Sequence, residues 1–129
     1  MNRKTVTVLF CDLVAYTELA ERLDPEALRF VMTRFFERAA AAIEGHGGTV
    51  EKFVGDEVMA VFGVPVVHED DALRAMRAAV AVQECVAELD RDSDVQLEVR
   101  IGINTGEVMT GDPSAGHGFV SGDPVAVGK

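Results

Sequence analysis

Two aspartates and a lysine stand in this chain where strand packing alone would not ask for them. Asp12 lies near the end of the apolar run "TVTVLFCDL", and Asp56 follows Gly55 between the two β-rich halves of "VEKFVGDEVMAVF". Lys52 sits three residues before that glycine, in a segment of the kind where long cations are depleted. Two carboxylates at neighbouring strand ends repel one another unless a cation lies between them. Hard oxygen ligands of this type suit Mg2+ or Mn2+, which prefer one or two carboxylates together with substrate phosphates. Aspartate is also favoured in turns for its own backbone bonding, so the residue pattern leaves metal ligation and plain turn formation both open. The segment after Asp12, "LVAYT" (13–17), passes from strand to helix, an arrangement whose free N–H groups can hold phosphate. It contains no glycine, so the loop alone is weak evidence, and an ordinary strand-to-helix turn explains it better.

The elements that must position these residues follow from periodicity. Thr5–Leu13 reads as a buried strand, and "ELAER" turns helical after it. Asp24-Pro25 is a helix start, with aspartate at the N-cap and proline in the first turn. From there Leu28, Met32, Phe35, Ala39 and Ile43 recur at helical spacing to about Glu44, and Gly45, Gly47 and Gly48 stop the helix. Gly55-Asp56 marks a β-hairpin. A third helix is expected with Glu69 or Asp70 as its cap. Ala72, Ala75, Ala79, Val82, Val86 and Leu89 fall on its inner face, and Arg74, Arg77, Glu84 and Glu88 on its outer face. Val95, Leu97, Val99 and Ile101 then share one face of a strand, and a Gly-rich loop over 111–118 leads to a short strand at Phe119–Ser121. The order β, helical segment, hairpin, helix, β predicts an α+β class fold: a ferredoxin-like βαββαβ antiparallel sheet with helices on one face. Its first and third strands then lie side by side, which brings Asp12 toward Asp56. The other sheet face needs cover from a partner or from further chain.

Composition sets the bounds. At 129 residues, with 48% hydrophobic and 26% charged residues, the chain reads as one globular domain or part of one. A net charge of −10 argues against nucleic acid as a partner, though a small polyphosphate neutralised locally by metal and a few cations is allowed. Cys11 and Cys85 lie in apolar periodic segments with no CxxC spacing and read as reduced core thiols. His46, His68 and His117 stand alone, without zinc-site spacing. The apolar run Val6–Phe10 is too short for a signal peptide or a membrane insertion, so a cytoplasmic chain is expected.

Four blocks in order, "FCDLVAYTELAER", "VEKFVGDEVMAVFG", "RIGINTGEV" and "VSGDPVAVGK", resemble the catalytic domain of class III nucleotide cyclases, the adenylyl and guanylyl cyclases. The resemblance runs over nearly all of 1–129 and implies the following. Asp12 and Asp56 hold two Mg2+ or Mn2+ ions on a triphosphate, and Leu13, Val14, Ala15, Tyr16 and Thr17 form the phosphate loop. Arg100 reaches the phosphates. Lys52 matches the purine-selecting position, lysine in adenylyl and glutamate in guanylyl cyclases, so ATP is the implied substrate. The sites form in a head-to-tail homodimer, one chain supplying metals and phosphate loop and the other the purine contacts.

The sequence departs from the family pattern at four places. Ala15 stands where the family usually has glycine. Phe119 holds the second purine-selecting position and cannot hydrogen-bond a base. Ala126 replaces the asparagine that orients the ribose. The transition-state arginine belongs one residue past Lys129, which predicts a catalytic domain lacking its C-terminal part. A catalytically inactive cyclase-like module that binds nucleotide, dimerises or regulates is the alternative that Phe119 and Ala126 favour. A diguanylate cyclase shares this palm, but its Gly-Gly-Asp/Glu-Glu-Phe hairpin is absent from "VGDEV".

Overall fold

The computed structural model describes residues 2–92 and 96–110. In order these form β1 (Asn2–Leu13), α1 (Tyr16–Arg22), α2 (Pro25–Gly45), β2 (Thr49–Val54), β3 (Glu57–Phe62), α3 (Asp71–Asp92) and β4 (Val99–Thr110). The four strands make one sheet in the order β2-β3-β1-β4, antiparallel at every pairing. This is the expected βαββαβ arrangement, with β1 between β3 and β4. The expected strand at Phe119–Ser121 and the loop before it lie outside the described residues, as do Phe119 and Ala126.

Local chemistry explains the helix boundaries. The Asp24 carboxylate accepts the Ala27 N–H at 2.8 Å, satisfying one of the free donors that open α2, and Pro25 follows it. Past the end of α2, Gly47 adopts a φ of +89°, and a Cβ there would meet the Arg74 guanidinium at 2.3 Å. At the hairpin tip Gly55 has a φ of +59°, a left-handed conformation that a side chain would strain.

Alternation along β1 divides its side chains between two cores. Leu9, Cys11 and Leu13 face the helices, with Phe35, Ala39 and Ile43 of α2 and Ala78, Val82 and Val86 of α3. Full burial of a side chain such as Phe35 or Leu9 stabilises the fold by about 1.5–3 kcal/mol relative to leaving it in water. Val6, Val8 and Phe10 face the other way and cluster with Met59 and Val61 of β3, with Val64 packed against them. These residues are between 0% and 6% exposed, so this part of the face expected to need cover is buried within the chain. Continuous apolar side chains on both faces of β1 are what a strand buried on both sides requires.

The inner face of α3 also differs from expectation. Ala72 is exposed and Ala78 is buried in its place, because the helix phase is set by Ala75, Ala78, Val82, Val86 and Leu89. Asp71 is only 5% exposed, and its Oδ2 accepts the His68 N–H at 2.8 Å. Its Oδ1 accepts Arg74 Nη2 at 2.6 Å. Arg74 is thus half-buried rather than on the outer face, and it is Asp71 that reaches back to close the helix start. Arg38 of α2 and Glu88 of α3 bridge the two helices at 2.9 Å. Among the described residues no helix is long and apolar enough to cross a membrane.

Candidate active site

Strand register assembles the site. In the β1–β4 ladder Asp12 is directly opposite Arg100, and in the β1–β3 ladder Cys11 is opposite Val58. Directly opposed residues point to the same face of a sheet, and residues two apart share that face. Asp12, Arg100 and Glu57 therefore rise together on the face away from the helices. With Phe10 and Gly102 they line a cleft of about 530 Å3.

The Arg100 guanidinium grips Asp12 with both ends. Its Nε donates to Oδ1 and its Nη2 to Oδ2, each at 3.2 Å, although the residues are 88 apart in sequence. Asp56 comes in from the hairpin tip, where its Oδ2 accepts the Leu13 N–H at 3.1 Å. The two aspartates thus meet across one backbone step, Asp12 in the strand and Asp56 bound to the amide that follows it.

The electrostatics carry the mark of this clustering. Hydrogen bonding to Asp12 and then its charge push the Arg100 pKa further up against the opposing effect of desolvation, with the charge of Asp56 adding least. The Cys11 thiol is pushed up to about 12, chiefly by burial and then by the charges of Asp12 and Glu57. A thiol so shifted is neither a nucleophile nor a soft metal ligand at neutral pH. The donor set that remains is carboxylate oxygen under a negative local potential in which a guanidinium already serves as counter-ion. That chemistry fits a hard divalent cation, and Asp12 and Asp56 are the carboxylates that could contribute to holding one. Among the described residues no group of three or more His, Cys, Asp or Glu has metal-holding geometry.

The segment expected to cradle phosphate is placed less simply. Leu13 is buried and its N–H is given to Asp56, while the Val14 N–H is given to the Glu98 carbonyl at 2.8 Å. Val14 and Ala15 line a different cleft, of about 440 Å3, shared with Glu18, Arg22 and Glu98. Ala15 precedes α1 with φ 59° and ψ 35°, the left-handed region, and makes no side-chain cap. Tyr16 is half-buried and Thr17 exposed in the first turn of α1. Lys52 is exposed on β2 opposite Met59, on the same sheet face as Asp12 but separated from β1 by the whole of β3. Two strand spacings are about 10 Å, and Lys52 does not line the Asp12 cleft.

Sequence reasoning missed Glu57. The signal was present: in an antiparallel hairpin Glu57 and Met59 share a face, and pairing to β1 puts that face beside Phe10 and Asp12. Only the register, which the sequence does not print, turns that parity into a shared cleft.

Comparison with known proteins bears on the family of this chain. Residues 1–115 match the family described as the adenylate and guanylate cyclase catalytic domain. The chain is 31% identical over 117 residues to adenylate cyclase 1 of Rhizobium meliloti (strain 1021), covering 88% of this chain and 18% of the relative. It therefore spans about a fifth of that protein's length. Among solved structures it is similar to the guanylyl cyclase Cya2, with a TM-score of 0.80 and 38% identity, covering 85% of this chain and 58% of that one. The adenylyl cyclase CyaB from P. aeruginosa gives a TM-score of 0.80 and 35% identity, covering 85% and 60%. A family match across most of the residues, on a sheet that sets paired aspartates at neighbouring strand ends, has one consequence: the chain belongs to the adenylate and guanylate cyclase catalytic domain family.

Proposed function

We propose that residues 1–129 belong to an adenylyl cyclase catalytic domain that converts ATP to 3′,5′-cyclic AMP and pyrophosphate. The observation that carries this reading is the meeting of Asp12 and Asp56 across the Leu13 amide, under a potential that already draws in Arg100. Asp12 and Asp56 would hold two Mg2+ or Mn2+ ions. When bound, these supply neutralisation of triphosphate charge and a lowered pKa for the ribose 3′-hydroxyl.

The chain's own contribution is positioning. The strand ladder of β1, β3 and β4 holds Asp12 and brings the hairpin that carries Asp56 beside it, so the two carboxylates are set close together by the sheet. The 3′-hydroxyl attacks the α-phosphorus in line and gives its proton to water, and the bond from the α-phosphorus to the bridging oxygen breaks to release pyrophosphate. Arg100 is the cation of the cleft and the candidate phosphate contact. Of Leu13, Val14, Ala15, Tyr16 and Thr17, the first two already spend their N–H groups within the chain, which leaves the amides of residues 15–17 as the candidate phosphate donors.

Lys52 would read the base. Its distance from the Asp12 cleft supports a head-to-tail homodimer, in which each Lys52 serves the site whose aspartates come from the other copy. Adenine N1 accepts a hydrogen bond from lysine, whereas guanine N1–H and N2 present donors. A buried donor without a partner costs about 1–3 kcal/mol, roughly 5- to 150-fold in discrimination. Phe119 adds no polar contact, so ATP preference at the lower end of that range is expected.

The test is a cyclase assay with Mn-ATP and Mn-GTP, run on this chain and on one extended past Lys129. Cyclic AMP formation that is lost in Asp56→Ala, with kcat/KM for ATP several-fold above that for GTP, is the expected result. Equal values for the two nucleotides, or a GTP preference, refute base reading by Lys52. A second reading, a nucleotide-binding or dimerisation module without turnover, has Phe119 and Ala126 in its favour. It is identified by nucleotide binding with no product in the extended chain.

A further inference from the structure

Arg100 does more in this structure than await a phosphate. Its fork engages both oxygens of Asp12, and it does so from the solvent side: the Arg100 side chain is 71% exposed and that of Asp12 22%. The geometry is built in by the sheet, because the two residues are directly opposed in the β1–β4 ladder. A divalent ion needs the same oxygens at about 2.0–2.1 Å for Mg2+. It also repels a guanidinium held within hydrogen-bond reach of them. The two cations therefore compete for one carboxylate.

We propose that Arg100 is an internal counter-ion that closes the Asp12 carboxylate and opens it in favour of metal bound to a triphosphate rather than metal alone. The proposal rests on the assignment of Asp12 as a metal-holding residue. A bare ion must evict Arg100 into water with nothing gained by the guanidinium. An ion arriving on a triphosphate brings oxygens that accept the displaced fork in the bidentate geometry arginine favours. Exposed ion pairs are weak and screened by salt, so the closure is a readily exchanged latch and not a block. Lysine would not serve as well, since its point charge lacks the planar fork.

Electron paramagnetic resonance of free Mn2+, without nucleotide, tests this on wild-type chain, Arg100→Gln, Arg100→Lys and Asp12→Asn. The fold is checked by circular dichroism, and exposed Arg100 carries no core packing. Affinity for bare Mn2+ is expected to rise about threefold to fivefold in Arg100→Gln, the scale of one exposed ion pair. The lysine variant keeps the charge and loses the fork, so a rise there as well separates a latch from a simple change of field. Unchanged affinity in Arg100→Gln overturns the proposal. So does a rise in Arg100→Gln with Arg100→Lys equal to wild type. If Asp12→Asn abolishes Mn2+ binding while the Arg100 variants behave as wild type, the latch fails and the metal assignment stands. If Asp12→Asn binds Mn2+ as wild type does, the assignment fails and takes the latch with it.

Discussion

Replacing Ala15 by glycine tests whether the turn into α1 carries conformational strain. Ala15 stands at φ 59°, ψ 35°, and among the described residues it is the only non-glycine with positive φ. A left-handed conformation costs an L-residue with a Cβ roughly 1–2 kcal/mol. Glycine relieves that cost, but its freer unfolded chain takes back about 0.4–1 kcal/mol. The difference predicts that Ala15→Gly stabilises the fold by about 0.5–1 kcal/mol. For a chain of this size that is on the order of 2–5 °C in Tm. Ala15→Asn should fall between, since asparagine tolerates this region better than alanine. Urea denaturation gives the free energies and thermal melting the Tm. Because Ala15 is exposed, no packing term enters. A glycine variant that is less stable than wild type would refute the reasoning and point to a contact made by the alanine methyl. The result also bears on the family comparison: glycine at this place is then explained by backbone conformation rather than by crowding of phosphate.

Three further outcomes follow from named groups. Asp71→Ala leaves the His68 N–H without its acceptor and the half-buried Arg74 guanidinium with only the exposed Asp70 carboxylate at 3.4 Å, and should cost about 1–3 kcal/mol in urea denaturation. A loss below about 1 kcal/mol would mean that water replaces the carboxylate fully. At pH 8 one thiol, Cys85, should react with an aromatic disulfide reagent in the native chain. Cys11, 1% exposed and with its pKa pushed up to about 12, should react only on unfolding. Glu51 has its pKa raised by burial more than the charge of Lys52 lowers it. The folded chain then holds this proton more tightly than the unfolded one, so the stability that it contributes is full below the ordinary carboxyl range and lost as pH rises through the raised value. Glu51→Gln should raise Tm at pH 7 and lose that advantage below about pH 4, and a difference independent of pH would contradict the shift.

The sequence disclosed the elements better than their partners. Asp24-Pro25 and the spacing of Met32, Phe35, Ala39 and Ile43 give α2 directly, because capping and a 3.6-residue repeat are local signals. The hairpin at Gly55-Asp56 is equally local. In α3, by contrast, alanine is small enough for either face, so the run of alanines at 72, 75, 78 and 79 left the helix phase ambiguous by one residue. Asp71 was unreadable for another reason: in "HEDDAL" three acids look like a solvated cap, and burial of one of them depends on Arg74 folding back beneath it. The two-sided burial of β1 was written in residues 6–11, apolar at every position but the buried Thr7, a run that no one-faced strand needs.

The site itself was legible as residue types and illegible as geometry. Asp12 and Asp56 could be picked out singly, but the bond from Leu13 to Asp56 spans 43 residues and the pair of Arg100 with Asp12 spans 88. Both depend on antiparallel register, and a slip of one residue would turn every side chain of a strand to the other face. What holds the register here is burial on both sides of β1: moving Val6, Val8 and Phe10 by one place would also move Leu9, Cys11 and Leu13 out of the helix-side core. The acids are thus positioned by the packing of their apolar neighbours. Their place depends on β1, β3 and β4 together rather than on the turn that carries Asp56, and core substitutions such as Leu9→Ala should disturb the Asp12–Arg100 pair from a distance.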